Sequence, residues 1–398
     1  MNKVLFLSYC MPPLKYPRSI QISRLIKNMK IKPSVIYANE STNLDYSILE
    51  DFDSYVNDKI QIKMNNNRYL NFIKRKIFPI LYSSPDPFVL WSDKLFKIAS
   101  QYLEKNKHDK IVTFGEPMSV HFAGLRLKKL DSNLKWIAHF SDPWLDNPLK
   151  NRNFLVRKIN AYLERKVFEN ADKLIFTSEE TILMLKQKYP EKIANKLIYL
   201  PHSYDENCYE YKKTKNSKFT IRYIGGFYSG RSPKPLLEAI TKIAKINSSI
   251  LDNVLFEIVG NLGRYANIMN KYNTISKYVS VRKNVTYQES LNLMTSSDVL
   301  LVIDAESDES IFFPSKLADY IGSKKPIIGI TPNGTSKNII SRLDGKSANP
   351  GNVEDIILMV KDILANKNKY RNFEVNEEYL KFDAVNITED FENILYSV

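Results

Sequence analysis

Several residue types and patterns are scarce or missing in this chain of 398 residues, and each scarcity removes a class of protein. Its two cysteines, Cys10 and Cys208, lie far apart and in no metal-ligand spacing. That excludes a disulfide framework and a structural zinc site, and it points to a reducing compartment. Only 12 glycines are present, and no unit of ~20–50 residues repeats, so collagen-like chains and solenoids are excluded. No run approaches the ~20 apolar residues of a membrane-spanning helix. The first apolar stretch, Val4-Leu5-Phe6-Leu7-Ser8-Tyr9-Cys10, is too short for a secretory signal, and Met11-Pro12-Pro13 ends it without a small-residue cleavage site. It reads as a buried first strand. The chain is expected in the cytoplasm, free or peripheral at the inner face of the cytoplasmic membrane.

Hydrophobic residues make up 43% and charged residues 26%, a globular balance. The length suits two domains of roughly 200 residues. A net charge of +14 fits nucleic acid, an anionic membrane surface, anionic small substrates, or simply a Lys-rich surface. No nucleic-acid module is recognised and the basic residues are dispersed, which argues against nucleic acid as a partner.

Short β-branched runs at residues 3–8, 110–114, 134–139, 173–177, 197–200, 220–224, 255–259, 299–303 and 326–330 read as strands. Amphipathic segments at 19–29, 118–130, 157–170, 233–245, 287–295 and 315–321 lie between them. Continuous apolar strands alternating with helices predict parallel sheets covered on both faces. Two such series are visible, joined by a polar linker at residues 203–218. The expectation is an α/β chain of two Rossmann-like domains facing a cleft. Residues 1–204 form the first domain and 205–383 the second, with a last helix at 384–398 packing back on the first. Ligands in such sheets bind outside the strand carboxyl ends, so residues that follow strands are the ones to inspect.

After the first strand, three prolines stiffen the loop leading to Arg18, whose charge is expected to face the cleft. The strand at 134–139 ends in His139-Phe140-Ser141-Asp142-Pro143-Trp144, which offers a histidine and a carboxylate for acid, base or hydroxyl-clamping work. Of the chain's 4 histidines, His121 and His202 also follow strands. In the second series Gly225-Gly226-Phe227-Tyr228 leads through Gly230-Arg231-Ser232-Pro233-Lys234 into a helix. Small residues before a helix start allow close backbone approach to a phosphate, and the guanidinium of Arg231 can hold two of its oxygens. The richest segment follows the strand at 299–303. There Pro314 stops the loop, Ser315 is expected to cap a helix beginning at Lys316, and Asp319 sits one turn further on. Amides near Ser315 together with Lys316 suit a phosphate, and Asp319 suits ribose hydroxyls. A capped structural helix with Leu317 and Ile321 in the core accounts for the same residues.

With these words in place, the chain resembles family-4 retaining glycosyltransferases of the GT-B fold, of the kind that assemble bacterial surface polysaccharides. The matching words are Phe313-Pro314-Ser315-Lys316-Leu317-Ala318-Asp319-Tyr320-Ile321-Gly322, Gly225-Gly226-Phe227-Tyr228, Arg231-Ser232-Pro233 and Ser141-Asp142-Pro143-Trp144. The resemblance implies a nucleotide-sugar donor, with a UDP-sugar expected, and a saccharide or lipid-linked acceptor. It implies no cofactor and no metal, since no Asp-x-Asp stands where a metal would bridge phosphates. The basic pair that holds the donor diphosphate falls at Gly226 and Arg231, and Lys316 is expected to supply the charge missing at Gly226. Of two glutamates separated by seven residues, Ile311 takes the first place and Asp319 the second, with Glu309 nearby as a substitute. His139 and Asp142 stand for the His-Asp of the first domain, and Tyr287 lies in the stretch whose edge meets the base. Residues Gly225, Gly226, Tyr287, Pro314, Ser315, Leu317 and Asp319 would line the donor site. Arg231, Lys316, Asp142, His139 and Glu309 would serve the reaction. A sugar-nucleotide epimerase or hydrolase on the same scaffold, or a silent nucleotide-sugar-binding scaffold protein, are the rival readings. Separately, basic and aromatic residues interleave in residues 68–91, as in a helix that docks on an anionic membrane.

Overall fold

A computed structural model describes residues 3–63, 84–148, 153–211, 216–228 and 230–398. The chain forms two compact units, Met1–Pro201 with Ile387–Val398, and His202–Asn386. The division falls before Tyr204 because Tyr204 bridges to Asp383 in parallel and is fully buried in the second unit's core.

The first unit is built on a sheet of seven parallel strands. These are β1 (Val4–Ser8), β2 (Ser34–Asn39), β3 (Asp58–Lys63), β4 (Lys110–Phe114), β5 (Lys135–His139), β6 (Lys173–Phe176) and β7 (Leu197–Tyr199). Their order is β3-β2-β1-β4-β5-β6-β7. Helices α1 (Pro17–Asn28), α2 (Val89–Asn106), α3 (Val120–Leu130), α4 (Phe154–Asn170) and α5 (Glu179–Lys188) follow strands or connect them. Alternate residues of the central strands serve opposite faces. Leu5, Leu7, Ile111, Trp136 and Leu174 join Leu95 of α2 and Ala123 of α3 on one face. Val4, Phe6, Val112, Phe114 and Ile175 meet Ile22 and Ile26 of α1 on the other, together with Ile387, Phe391 and Leu395 near the chain end. Lys110 Nζ donates to the carbonyl of Leu395 at 2.5 Å, so a buried cation closes the last helical turn.

The second unit repeats the plan with six parallel strands: β8 (Phe219–Ile224), β9 (Val254–Val259), β10 (Val279–Arg282), β11 (Val299–Ile303), β13 (Ile327–Ile330) and β15 (Lys346–Ala348). Their order is β10-β9-β8-β11-β13-β15. A separate two-strand ladder pairs β12 (Glu309–Ser310) with β14 (Asn333–Gly334). Helices α6 (Lys234–Asn247) and α10 (Val353–Ala365) cover one face through Leu237, Ile240, Ile356 and Val360. Helices α7 (Tyr287–Thr295), α8 (Ser315–Gly322) and α9 (Thr335–Arg342) cover the other through Leu291, Leu317, Ile321 and Ile339. The last helix, α11 (Ala384–Tyr396), carries the chain back to the first unit.

Both sheets are doubly wound. Strand order reverses between β1 and β4 in the first and between β8 and β11 in the second. At such a reversal the following loops diverge and leave a crevice at the strand carboxyl ends. Among the described residues, no helix is long and apolar enough to cross a membrane. Residues 68–83 of the basic-aromatic segment lie outside the described residues.

Candidate functional site

In the second unit the strand reversal is occupied by a cation. β8 ends at Ile224, and the loop after it is folded back by Tyr223, whose hydroxyl donates to the Gly226 carbonyl at 3.1 Å and whose ring stacks on Phe227 at 4.7 Å. Gly230, at φ 86°, turns the chain where L side chains are strained. The turn delivers Arg231 onto the end of β11, where its Nη2 donates to Asp304 Oδ1 at 3.3 Å and its guanidinium lies 5.0 Å from the Tyr228 ring centre. Burial acts to lower the pKa of Arg231, but Asp304 first, then Tyr228 and Tyr223, outweigh it and raise the value. The charge is therefore held at any physiological pH. The second carboxylate oxygen of Asp304 is buried and has no hydrogen-bond partner. One side of this pair is satisfied and the other is not.

A second cluster stands at the start of α8. Ser315 is the first helical residue and Pro314 the N-cap position, with no side chain capping the helix. The expected Ser315 cap is thus corrected: the helix begins one residue earlier, because proline already sets an extended backbone at 314 and frees 315 to enter the first turn. Lys316 Nζ lies 3.6 Å from Asp319 Oδ2, and Tyr287 Oη donates to Asp319 Oδ1 at 3.2 Å. The Asp319 side chain is 6% exposed and that of Lys316 37%, so the lysine is the group that reaches outward. Leu317 is packed in the core, and its amide donates to the Pro314 carbonyl at 2.8 Å, which leaves the amides of Ser315 and Lys316 as those of the first turn to consider.

Tyr320 links the two clusters. Its hydroxyl accepts from the Ile224 amide at 2.7 Å, tying α8 to the end of β8. The hydroxyl's pKa is raised, chiefly by burial, and it feels Asp319 and Arg231 with opposite sign. Glu309 sits elsewhere, exposed on β12, and its carboxylate makes no ion pair among the described residues. Nothing joins it to Arg231 or Lys316. At Gly226 the backbone is ordinary and an added Cβ would meet nothing nearer than 3.5 Å.

In the first unit, Arg18 stands at the carboxyl end of β5. α1 starts at Pro17, so Arg18 lies in its first turn, where it is buried. Its Nη2 donates to the His139 carbonyl at 2.7 Å and to His139 Nδ1 at 3.1 Å. A guanidinium only donates, so Nδ1 accepts and any ring proton of His139 is on Nε2. Burial pushes Arg18 down to about 10, opposed by Cys10, Asp142 and Glu116. Asp142 is thereby placed in the electrostatic reach of Arg18. His121 is a core residue: it is fully buried on α3 and held by Thr113 Oγ1 at 2.8 Å. His202 packs against Phe313 with the rings tilted at 50° and their centres 5.4 Å apart. Among the described residues no group of three or more His, Cys, Asp or Glu could hold a metal ion.

Sequence reasoning passed over Asp304 and Tyr320. The signal for Asp304 was its place: it is the first residue after β11, facing the loop that follows β8 across the strand reversal.

No protein-family model matches the sequence, and no curated protein matches it. Solved structures do match, over the whole chain. Sucrose-phosphate synthase from Thermosynechococcus elongatus is similar with a TM-score of 0.71 and 14% identity, covering 99% of this chain and 98% of that one. The Anabaena protein HepE, solved with UDP and glucose, gives 0.68 and 13% with full coverage of both chains. The fold is GT-B. A UDP-GlcNAc 2-epimerase from Neisseria meningitidis, bound to UDP-GlcNAc, gives 0.62 and 13%, again with full coverage of both. GT-B architecture in this chain thus comprises the two doubly wound units described above, with Arg231 and Asp304 at the reversal of the second.

Proposed function

We propose that the chain is a glycosyltransferase that moves a sugar from a nucleotide-diphosphate donor, a UDP-sugar, to a saccharide or lipid-linked acceptor in cell-surface polysaccharide assembly. The observation that carries this reading is the Arg231–Asp304 pair at the strand reversal of the second unit, beside the start of α8. A partly exposed guanidinium with its charge locked on is what a leaving diphosphate requires. As the glycosidic bond breaks, negative charge builds on the phosphate oxygens. Arg231, Lys316 and the first-turn amides of α8 near Ser315 would meet that charge without rearranging. Fixed cations take the part of a metal, so the reaction is metal-independent. Asp319, oriented by Tyr287, would receive ribose hydroxyls, while Gly225 and Gly226 let the backbone approach. The first unit would offer the acceptor near His139 and Asp142. Membership of the retaining family 4, a role for Glu309 and attachment at the inner membrane face belong to the same proposal.

The test is calorimetric titration with UDP-, GDP- and dTDP-sugars, followed by turnover with a panel of acceptors. Arg231→Ala should lose on the order of 10²-fold or more in turnover. Wild-type turnover in that variant removes the assignment. A second reading, epimerase or hydrolase, is favoured by the likeness to the Neisseria meningitidis epimerase. It is recognised by sugar released or isomerised with no acceptor present.

A further inference from the structure

The first unit carries a groove of about 790 Å³ at the carboxyl ends of β1 and β2. That volume is in the range of small-molecule sites. Its two walls are pinned together: Leu14 bridges Leu44 in antiparallel fashion, Lys15 N donates to the Asn43 carbonyl at 2.7 Å, and Asp45 N donates to the Pro13 carbonyl at 2.7 Å. The groove is therefore a formed feature of the fold, held by backbone hydrogen bonds.

Its lining is specific in two ways. First, a row of planar polar groups has fixed orientation, since Asn39 Nδ2 donates to Gln61 Oε1 at 2.9 Å and Gln61 Nε2 donates to Tyr37 Oη at 2.6 Å. Aromatic surface lies beside it: the rings of Tyr37 and Phe52 meet edge-to-face at 5.9 Å, and Tyr46 is 71% exposed. A pyranose offers the complement to such a wall, with an apolar C–H face for the ring and a rim of hydroxyls for amides and carboxylates. Second, the charge runs against that of the molecule. Among the described residues, Glu40, Glu50, Asp51 and Asp53 line the groove with Lys59 as the one cation, and Lys59 is already paired with Asp53. On a chain of net charge +14, this is a local negative field that repels an anionic ligand.

We propose that this groove is a saccharide subsite that accepts an uncharged sugar and rejects one bearing a carboxylate or phosphate. Only in calling that sugar the acceptor does this depend on the transferase reading. Glu40 is held by the Tyr16 hydroxyl at 3.3 Å and by that of Tyr9, so it accepts ligand hydroxyls from a fixed position. The exposed ring of Tyr46 closes over the apolar face of the sugar.

Saturation-transfer NMR on the whole chain tests it, with neutral mono- to trisaccharides ending in glucose, galactose, mannose or N-acetylhexosamine, and with their uronic-acid and sugar-phosphate counterparts. At least one neutral sugar should bind, with its anionic counterpart weaker by about tenfold or more. Tyr46→Ala should weaken the neutral ligand by about fivefold, and Glu50→Lys should narrow the gap between neutral and anionic ligands. Titration with a UDP-sugar runs alongside as an independent readout and should be unchanged in both variants. The proposal is overturned if an anionic sugar binds as well as the neutral one, if Tyr46→Ala binds like wild type, or if no sugar transfers saturation while the UDP-sugar binds. It is overturned equally if an oligolysine peptide occupies the groove and no sugar does. Neutral-sugar binding without any UDP-sugar binding would leave this subsite standing and remove the transferase reading.

Discussion

Arg231 and Gly226 set the residue scale. Arg231 is fastened by one oxygen of Asp304 while the other oxygen has no partner. Asp304→Asn keeps the shape but loosens the cation, so turnover should drop by roughly ten- to a hundredfold with the fold intact, as read from kinetics and circular dichroism. Wild-type kinetics would make the pair a structural one. A Cβ at Gly226 would make only ordinary van der Waals contacts, with Tyr228 at 3.5 Å and the Asn261 carbonyl at 3.6 Å, and the backbone there is not left-handed, so a side chain is tolerated. Gly226→Lys should tighten nucleotide-diphosphate binding by about three- to tenfold in calorimetry, the effect of one added charge-assisted contact. His121 belongs to stability. Its pKa is pushed down to about 3 by burial first and Arg18 second, below the ordinary value near 6.5. Between those values the unfolded chain takes up a proton that the native chain refuses, so stability is complete above 6.5 and is lost as pH falls towards 3. The slope is about 1.4 kcal/mol per pH unit at most. Urea midpoints at pH 7, 6 and 5 measure it, and His121→Leu should flatten the dependence. An unchanged slope in that variant would clear His121 of the effect.

Elements explain what the sequence could and could not reveal. All nine strands read from apolar runs are present, each within one residue of its expected ends. These strands are mostly covered on both faces and so are written in nearly unbroken hydrophobic residues. β2, β3, β10, β12, β14 and β15 were not foreseen. β3, Asp-Lys-Ile-Gln-Ile-Lys, and β15, Lys-Ser-Ala, are edge strands with exposed positions, as is β10. An edge strand has polar positions and resembles a loop in composition. The loop after β8 and the start of α8 were legible because glycine, proline and basic residues cluster there. The burial of Arg18 was not legible, because it follows from a helix that starts at Pro17 and from a partner, His139, on β5. Asp304 and Tyr320 were invisible because their importance lies in partners 73 and 96 residues away. Tyr320→Phe should leave the buried Ile224 amide unpaired. The expected cost is about 1–3 kcal/mol, read as a lower urea midpoint for the second unit. An unchanged midpoint would mean another acceptor satisfies that amide.

For the molecule as a whole, the decisive fact is where the chain returns. Ile387, Phe391 and Leu395 fill one face of the first unit, and Glu392 accepts from the Lys30 amide at 2.8 Å. Deleting residues 387–398 should therefore strip the cover from Phe6 and Phe114, giving a first unit that aggregates or exposes apolar surface to a dye. Nucleotide binding, if it belongs to the second unit, should survive the deletion. The second unit meanwhile enters and leaves side by side, through the Tyr204–Asp383 bridge and the hydrogen bonds from Tyr204 N to Phe382 O and from Ala384 N to Tyr204 O. A module whose first and last residues touch is topologically a cassette. Two cuts in the gene, one on each side of the module and meeting at one point of the fold, are enough to lift it out or exchange it for another, while the host sheet keeps both of its own chain ends.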